Sequence, residues 1–304
     1  MGLRAQLGIA PIAWSNDDLP ELGGETALET CLSEARLAGF SGVESGGKFP
    51  KTSEELGPIL KAHGLRLVSG WYSGTVLDSD LEAEKAKARA QLKLFRDLGA
   101  AVLVYGETAG TIQNKRNAPI STRRVLADDE VRAYGRKLTT FAEFCAGQGV
   151  PLSFHHHMGT AVESEQDIDR LMNATGDAVG LLYDTGHLTF AGADVLRVIE
   201  KHGRRINHVH TKDVRGDVMA SLARDKESFL DAVLKGVYTV PGDGSVDFGT
   251  VAKRLADIGY DGWFVVEAEQ DPAKAPPLEY ARIGHAALTK ALAAAGYSIV
   301  ESVP

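Results

Sequence analysis

The chain has 304 residues, 33 Lys and Arg against 41 Asp and Glu, and a formal net charge of −8. That balance works against phosphate backbones and anionic membranes, which are held by clustered basic side chains, so neither nucleic acid nor a membrane surface is an expected partner. A chain this long buries roughly 75% of its unfolded surface and needs no disulfide or structural metal for its core; Cys31 and Cys145 are read as buried thiols in a reducing cytoplasm, with no export leader or apolar span to suggest otherwise.

Apolar runs with the character of strands occur in chain order at "LGIAPIAW", "GVES", "LRLVSGWY", "AVLVYGE", "PLSFHHH", "VGLLYDTG", "INHVHTKD" and "WFVVEAEQ". Helical periods lie between them. The clearest covers 128–147, where Val131, Tyr134, Leu138, Phe141 and Cys145 recur at steps of three and four and form one apolar stripe. Glycines in "LAGFSG", "AHGLR", "DLGAAV", "GQGVPL" and "DIGYDGW" each mark a helix stopping before the next strand. Alternating strands and helices imply parallel βαβ units. Eight such units close as a (β/α)8 barrel, and no linker divides residues 1–304, so one α/β domain is expected. The connections 106–127 and 213–246 are long and follow strands, which puts them on the barrel face where loops serve as lids.

That face is also where the unusual side chains fall. Three consecutive histidines end the fifth strand, and alternation across a strand points His155 and His157 one way and His156 the other. The sixth strand ends in Asp184 and His187, the seventh carries His208 and His210 in phase, and the eighth carries Glu267 and Glu269 in phase. Residues at the C-terminal ends of barrel strands meet at the mouth. Mixed imidazole and carboxylate groups there suit Mn²⁺, Co²⁺ or Zn²⁺ better than Ca²⁺, which prefers oxygen alone.

The runs "GIAPIAWSNDDLPELGG", "ESGGKFP", "HHHMGT", "LLYDTGHL", "HVHTKD", "TVPGDGSVDF" and "VVEAEQDP" resemble the inosose dehydratases (2-keto-myo-inositol dehydratases), a family of xylose isomerase-like barrels. The resemblance spans nearly the whole chain. It implies one divalent ion held from strands five to eight, which carries across to Asp184, His210 and Glu267. The fifth strand departs from the Glu-x-His of many relatives and offers His155 in the carboxylate's place. The resemblance further implies Mn²⁺ or Co²⁺ as the ion and glutathione as an associated cofactor, although no residue here announces a site for a thiol tripeptide. The implied partner is a small polyol ketone, acted on by a chain that works alone or as a homo-oligomer.

Under that reading Glu267 is ligand and base together or ligand only, and His157 and His187 are candidate acids toward a leaving hydroxide, since imidazole titrates near neutrality. Glu107, Lys212, Arg215, Lys48 and Trp14 are candidates for substrate contact, and His208, set deeper, is read as packing or as a support behind the ligands. An isomerase or epimerase of a keto-sugar is the nearest alternative, because it shares proton removal beside a carbonyl. A polyol-binding protein would not need metal ligands from four strands, and an endonuclease is disfavoured by the acidic balance.

Overall fold

Where the sequence alternates β-branched and aliphatic residues, the chain forms strands, and the stiffness of those side chains favours the extended backbone. The computed structural model describes residues 2–300. Its barrel strands are β1 (Arg4–Ile9), β2 (Gly42–Ser45), β3 (Arg66–Gly74), β4 (Leu103–Glu107), β5 (Leu152–His155), β6 (Val179–Asp184), β7 (Ile206–Thr211) and β8 (Gly262–Val266). Each pairs in parallel with its sequence neighbour, and β8 closes on β1 from Ala5 against Gly262 to Ile9 against Val266. This is the expected single (β/α)8 barrel.

The helix Asp128–Gly147 buries Val131, Tyr134, Leu138, Phe141 and Cys145, the stripe read from periodicity. Gly39, Gly64, Gly99, Gly149 and Gly259, the five helix-stop glycines, all have positive φ, as at Gly99, where φ is 70° and the residue caps the helix Leu81–Leu98. Both cysteines are buried and free. Among the described residues no helix is long and apolar enough to cross a membrane.

Several strands are shorter than their sequence runs. The first ends at Ile9 because Pro11 has no N–H for the ladder and instead opens a short 3-10 turn, Pro11–Ala13. The fifth stops at His155 and the eighth at Val266, so His157, Glu267 and Glu269 sit just past the last ladder bonds. The two long connections are not loose flaps. Asp213–Val214 pairs antiparallel with Tyr238–Thr239, while the Ile120 N–H donates to the Glu227 carbonyl. Ile120, Met158, Phe190, Val214, Phe229 and Tyr238 bury one another in a second apolar cluster, and a packed cap with its own core resists local opening.

Candidate active site

Four side chains from four strand ends meet at the floor of the mouth. The donor atoms of His155, Asp184, His210 and Glu267 all lie within 4.8 Å of one another, and all four residues are buried. Asp184 Oδ2 is 3.7 Å from His155 Nε2 and 3.5 Å from His210 Nδ1, and Glu267 Oε2 contacts His210 Nδ1. Ligand atoms about 2.0–2.2 Å from one ion stand roughly 3–4 Å apart, so the spacing fits a divalent cation.

Three of these atoms, Asp184 Oδ2, His210 Nδ1 and Glu267 Oε2, are buried with no hydrogen-bond partner outside the cluster itself. Buried polar atoms are normally paired, and a group with no partners but one another, facing a common point, is what ligands to an ion leave behind. The tautomers agree with that role. His155 Nδ1 lies 2.6 Å from the His156 carbonyl, so it carries the proton and Nε2 faces the cluster. Burial pushes the His210 imidazole down, but Glu44 and Glu267 more than offset it and hold its pKa well above the ordinary range. Asp184 and Glu267 thus bring two carboxylates to the cluster, which a divalent cation would balance.

Glu44, at the end of β2, supports His210 from the other side. Its Oε1 accepts from His210 Nε2 at 3.0 Å, from His208 Nε2 at 3.1 Å and from the Ser69 hydroxyl at 2.6 Å. Burial opposes ionisation of Glu44, yet His210 and His208 hold it well below the usual carboxylate range. An imidazole that donates one N–H to a carboxylate presents the other nitrogen to a metal in fixed orientation. Glu44→Gln is therefore expected to weaken Mn²⁺ binding by about 10- to 100-fold in a metal titration, with a native circular dichroism spectrum; native affinity in that variant would show that packing alone aligns His210. The signal for Glu44 in the sequence was a carboxylate within a strand-like run, "GVES", directly after the apolar Val43.

Above the floor lies an open cavity of about 540 Å³, whose wall includes His155, His157, His210, Glu267 and Glu269. The His157 and His187 rings are 3.9 Å apart, but the two residues do not share the wall. His157 Nδ1 lies 2.8 Å from the Met158 carbonyl, which leaves Nε2 for the cavity. Burial, then the Lys212 charge, push the His157 pKa down to about 4. His187 is fully buried behind it, with its backbone N–H on Asp184 Oδ1 at 2.8 Å and its Nε2 3.0 Å from Lys212 Nζ. His156 is buried with both ring nitrogens unpaired, turned away from the cluster.

The candidate contact residues divide. Trp14 lines the cavity, its indole N–H 2.6 Å from Glu34 Oε2, and Lys48 lines it with its ammonium on the Gly24 carbonyl at 2.6 Å. Asp17, Asp18, Gln113 and Trp71 line it as well. Glu107 lies outside the wall, where its carboxylate accepts from the Leu77 and Ala109 N–H groups, each at 3.0 Å, and so ties two loops together. Arg215 faces away from the cavity and donates to the Gly236 and Tyr238 carbonyls and to Asp243, clamping the antiparallel pair. Lys212 is beneath the floor, fully buried.

Residues 32–297 match the family model described as the xylose isomerase-like TIM barrel. The chain is 51% identical over 297 residues to the rhizopine catabolism protein MocC of Rhizobium meliloti, covering 98% of this chain and 91% of that protein. It is 45% identical over 280 residues to an inosose dehydratase of Geobacillus thermodenitrificans (strain NG80-2), covering 91% of this chain and 94% of that protein. The chain belongs to the inosose dehydratase family. Among solved structures, the IOLI protein with a binding zinc atom superposes with a TM-score of 0.66 at 15% identity, covering 95% of this chain and 97% of that one, a likeness of fold alone. The probable 3-DHS dehydratase AsbF from Bacillus anthracis gives the same TM-score of 0.66 at 14% identity, covering 93% of this chain and 98% of that one, again a likeness of fold alone.

Proposed function

We propose that this chain is a hydro-lyase that removes water from 2-keto-myo-inositol to give a trihydroxycyclohexane-dione, with Mn²⁺ or Co²⁺ held by His155, Asp184, His210 and Glu267. The observation that carries the reading is the set of buried ligand atoms, without partners outside their own cluster, on the floor of a cavity whose wall also presents a free imidazole nitrogen. The inosose dehydratases at 45% identity and below support the substrate class. A bound divalent ion supplies Lewis acidity toward the ketone oxygen, worth several kcal/mol of stabilisation as charge develops there.

The chain's own residues manage the protons. With its Nδ1 proton committed to the Met158 carbonyl, His157 meets the substrate through Nε2. Its lone pair takes the proton from the carbon next to the ketone. The C–H pair becomes the new double bond, the bond to the β-hydroxyl breaks, and His157 Nε2 returns its proton to the departing oxygen as water. The carbon that lost its proton carries a hydroxyl, so the product leaves as an enol that gains a proton on carbon and releases its O–H proton to become the dione. Glu267 and Glu269, both on the wall, stabilise the imidazolium between the two transfers. Trp14 and Trp71 wall the cavity and exclude bulk water from the ring.

The test uses purified protein, Mn²⁺ or Co²⁺, and 2-keto-myo-inositol in deuterated water, with and without glutathione, and reads the product by mass spectrometry. Loss of one water with formation of the dione is the expected result. A ketone of unchanged mass apart from deuterium would replace this reading with an epimerase.

A further inference from the structure

Lys212 follows β7 and its side chain runs inward, not out to solvent; it is fully buried. The ammonium sits 2.9 Å from Glu267 Oε1, 2.7 Å from Glu269 Oε1 and 3.0 Å from His187 Nε2. The contacts with Glu269 and His187 are hydrogen bonds, and Glu267 is held as an ion pair. The face of the Tyr238 ring closes the remaining side, 4.5 Å from the nitrogen to the ring centroid. The neighbouring backbone leaves a slot for the stem, since a Cβ on Gly186 would stand 2.5 Å from Lys212 Cγ.

Two of the acceptors around this ammonium, His187 and Glu269, belong to a group with the chemistry of a metal site. His157, His187 and Glu269 place one donor atom each within 4.8 Å of one another, and all three are buried. Glu267 joins this group to the first one. Its Oε2 contacts His210 Nδ1 and its Oε1 contacts Lys212 Nζ. One carboxylate with an oxygen toward each of two cation positions is the bridging arrangement of two-metal centres, in which the ions stand roughly 3.5–4 Å apart.

From this geometry we infer that Lys212 is a resident cation in the position of a second metal ion, so that the site takes one divalent ion and not two. The inference rests on the reading that His155, Asp184, His210 and Glu267 hold the first ion. Lys212 acts as a positioning residue, fixing Glu267 and Glu269 without touching substrate. A tethered ammonium is present at every turnover and cannot be lost to dilution, whereas a second ion would have to be bound from solution.

The experiment counts bound Mn²⁺, by elemental analysis after desalting from excess ion and by the electron paramagnetic resonance signal of free Mn²⁺ during titration. The native chain is expected to take one equivalent and Lys212→Ala two, with the second lost again in Lys212→Ala/His187→Ala. Two equivalents in the native chain would overturn the inference, and so would one equivalent in folded Lys212→Ala. If Lys212→Ala folds poorly without metal, its melting temperature is followed against Mn²⁺. A rise that continues beyond the concentration saturating the native protein supports the second ion, and a response that stops with the native one overturns it. No ion in either protein would remove the metal reading itself, and this inference with it.

Discussion

Asp184→Asn is expected to abolish metal binding and to lower kcat by about 10³-fold or more while leaving the barrel folded. The two oxygens of Asp184 have separate tasks. Oδ1 accepts the His187 backbone N–H at 2.8 Å and caps the short helix Thr185–Phe190, a role that an asparagine carbonyl performs equally. Oδ2 is buried with no hydrogen-bond partner outside the cluster, 3.5 Å from His210 Nδ1 and 3.7 Å from His155 Nε2. An amide nitrogen there has no lone pair for an ion and removes one of the two negative charges that would balance it. If the ion contributes about 4 kcal/mol to the transition state, its loss corresponds to the stated factor, at about 1.4 kcal/mol per tenfold. Elemental analysis, steady-state kinetics and thermal denaturation on the same preparation check the three parts. Full metal occupancy with native kcat would show that the ion, if bound, sits elsewhere.

His157→Gln is expected to slow water loss by about 10²- to 10⁴-fold, the usual contribution of a positioned acid or base. The sequence suggested His157 as an acid acting after the α-proton has gone. The hydrogen bond from Nδ1 to the Met158 carbonyl supports an earlier role, because it leaves Nε2 as the nitrogen that faces the cavity with a lone pair. Exchange of the α-proton with deuterated solvent should therefore slow along with water loss. Native exchange combined with slow water loss would assign the first proton transfer to Glu267 or Glu269 and leave His157 the second step only. The corresponding change at His187 is expected to act differently. That ring is buried against Lys212 and Tyr238 and does not reach the cavity wall, so its removal should disturb the floor and lower metal affinity more than it alters either proton transfer.

The barrel was legible in the sequence because its signals are local. The unbroken apolar run in "VGLLYDTG" and the period near 3.6 in the stripe from Val131 to Cys145 reflect backbone geometry that each segment adopts for itself. The glycines at 39, 64, 99, 149 and 259 answer a local requirement too, the left-handed residue that ends a helix. Alternation likewise placed His155 and His157 on one side and His156 on the other, and the wall of the cavity contains the first two and not the third.

Only the tertiary structure decided where side chains beyond the strand ends would go. Past Thr211 the ladder no longer dictates a face, and the path of the loop sends Lys212 under the floor and Arg215 away from the cavity. Glu107 ends β4 in the expected place, yet the N–H groups of Leu77 and Ala109 draw its carboxylate into the loops. Glu44 meets His210 across 166 residues of sequence. No periodicity encodes such a pairing: it arises because barrel closure brings β2 and β7 to opposite sides of one narrow interior. There a buried carboxylate and a buried imidazole are each costly alone and far less so together.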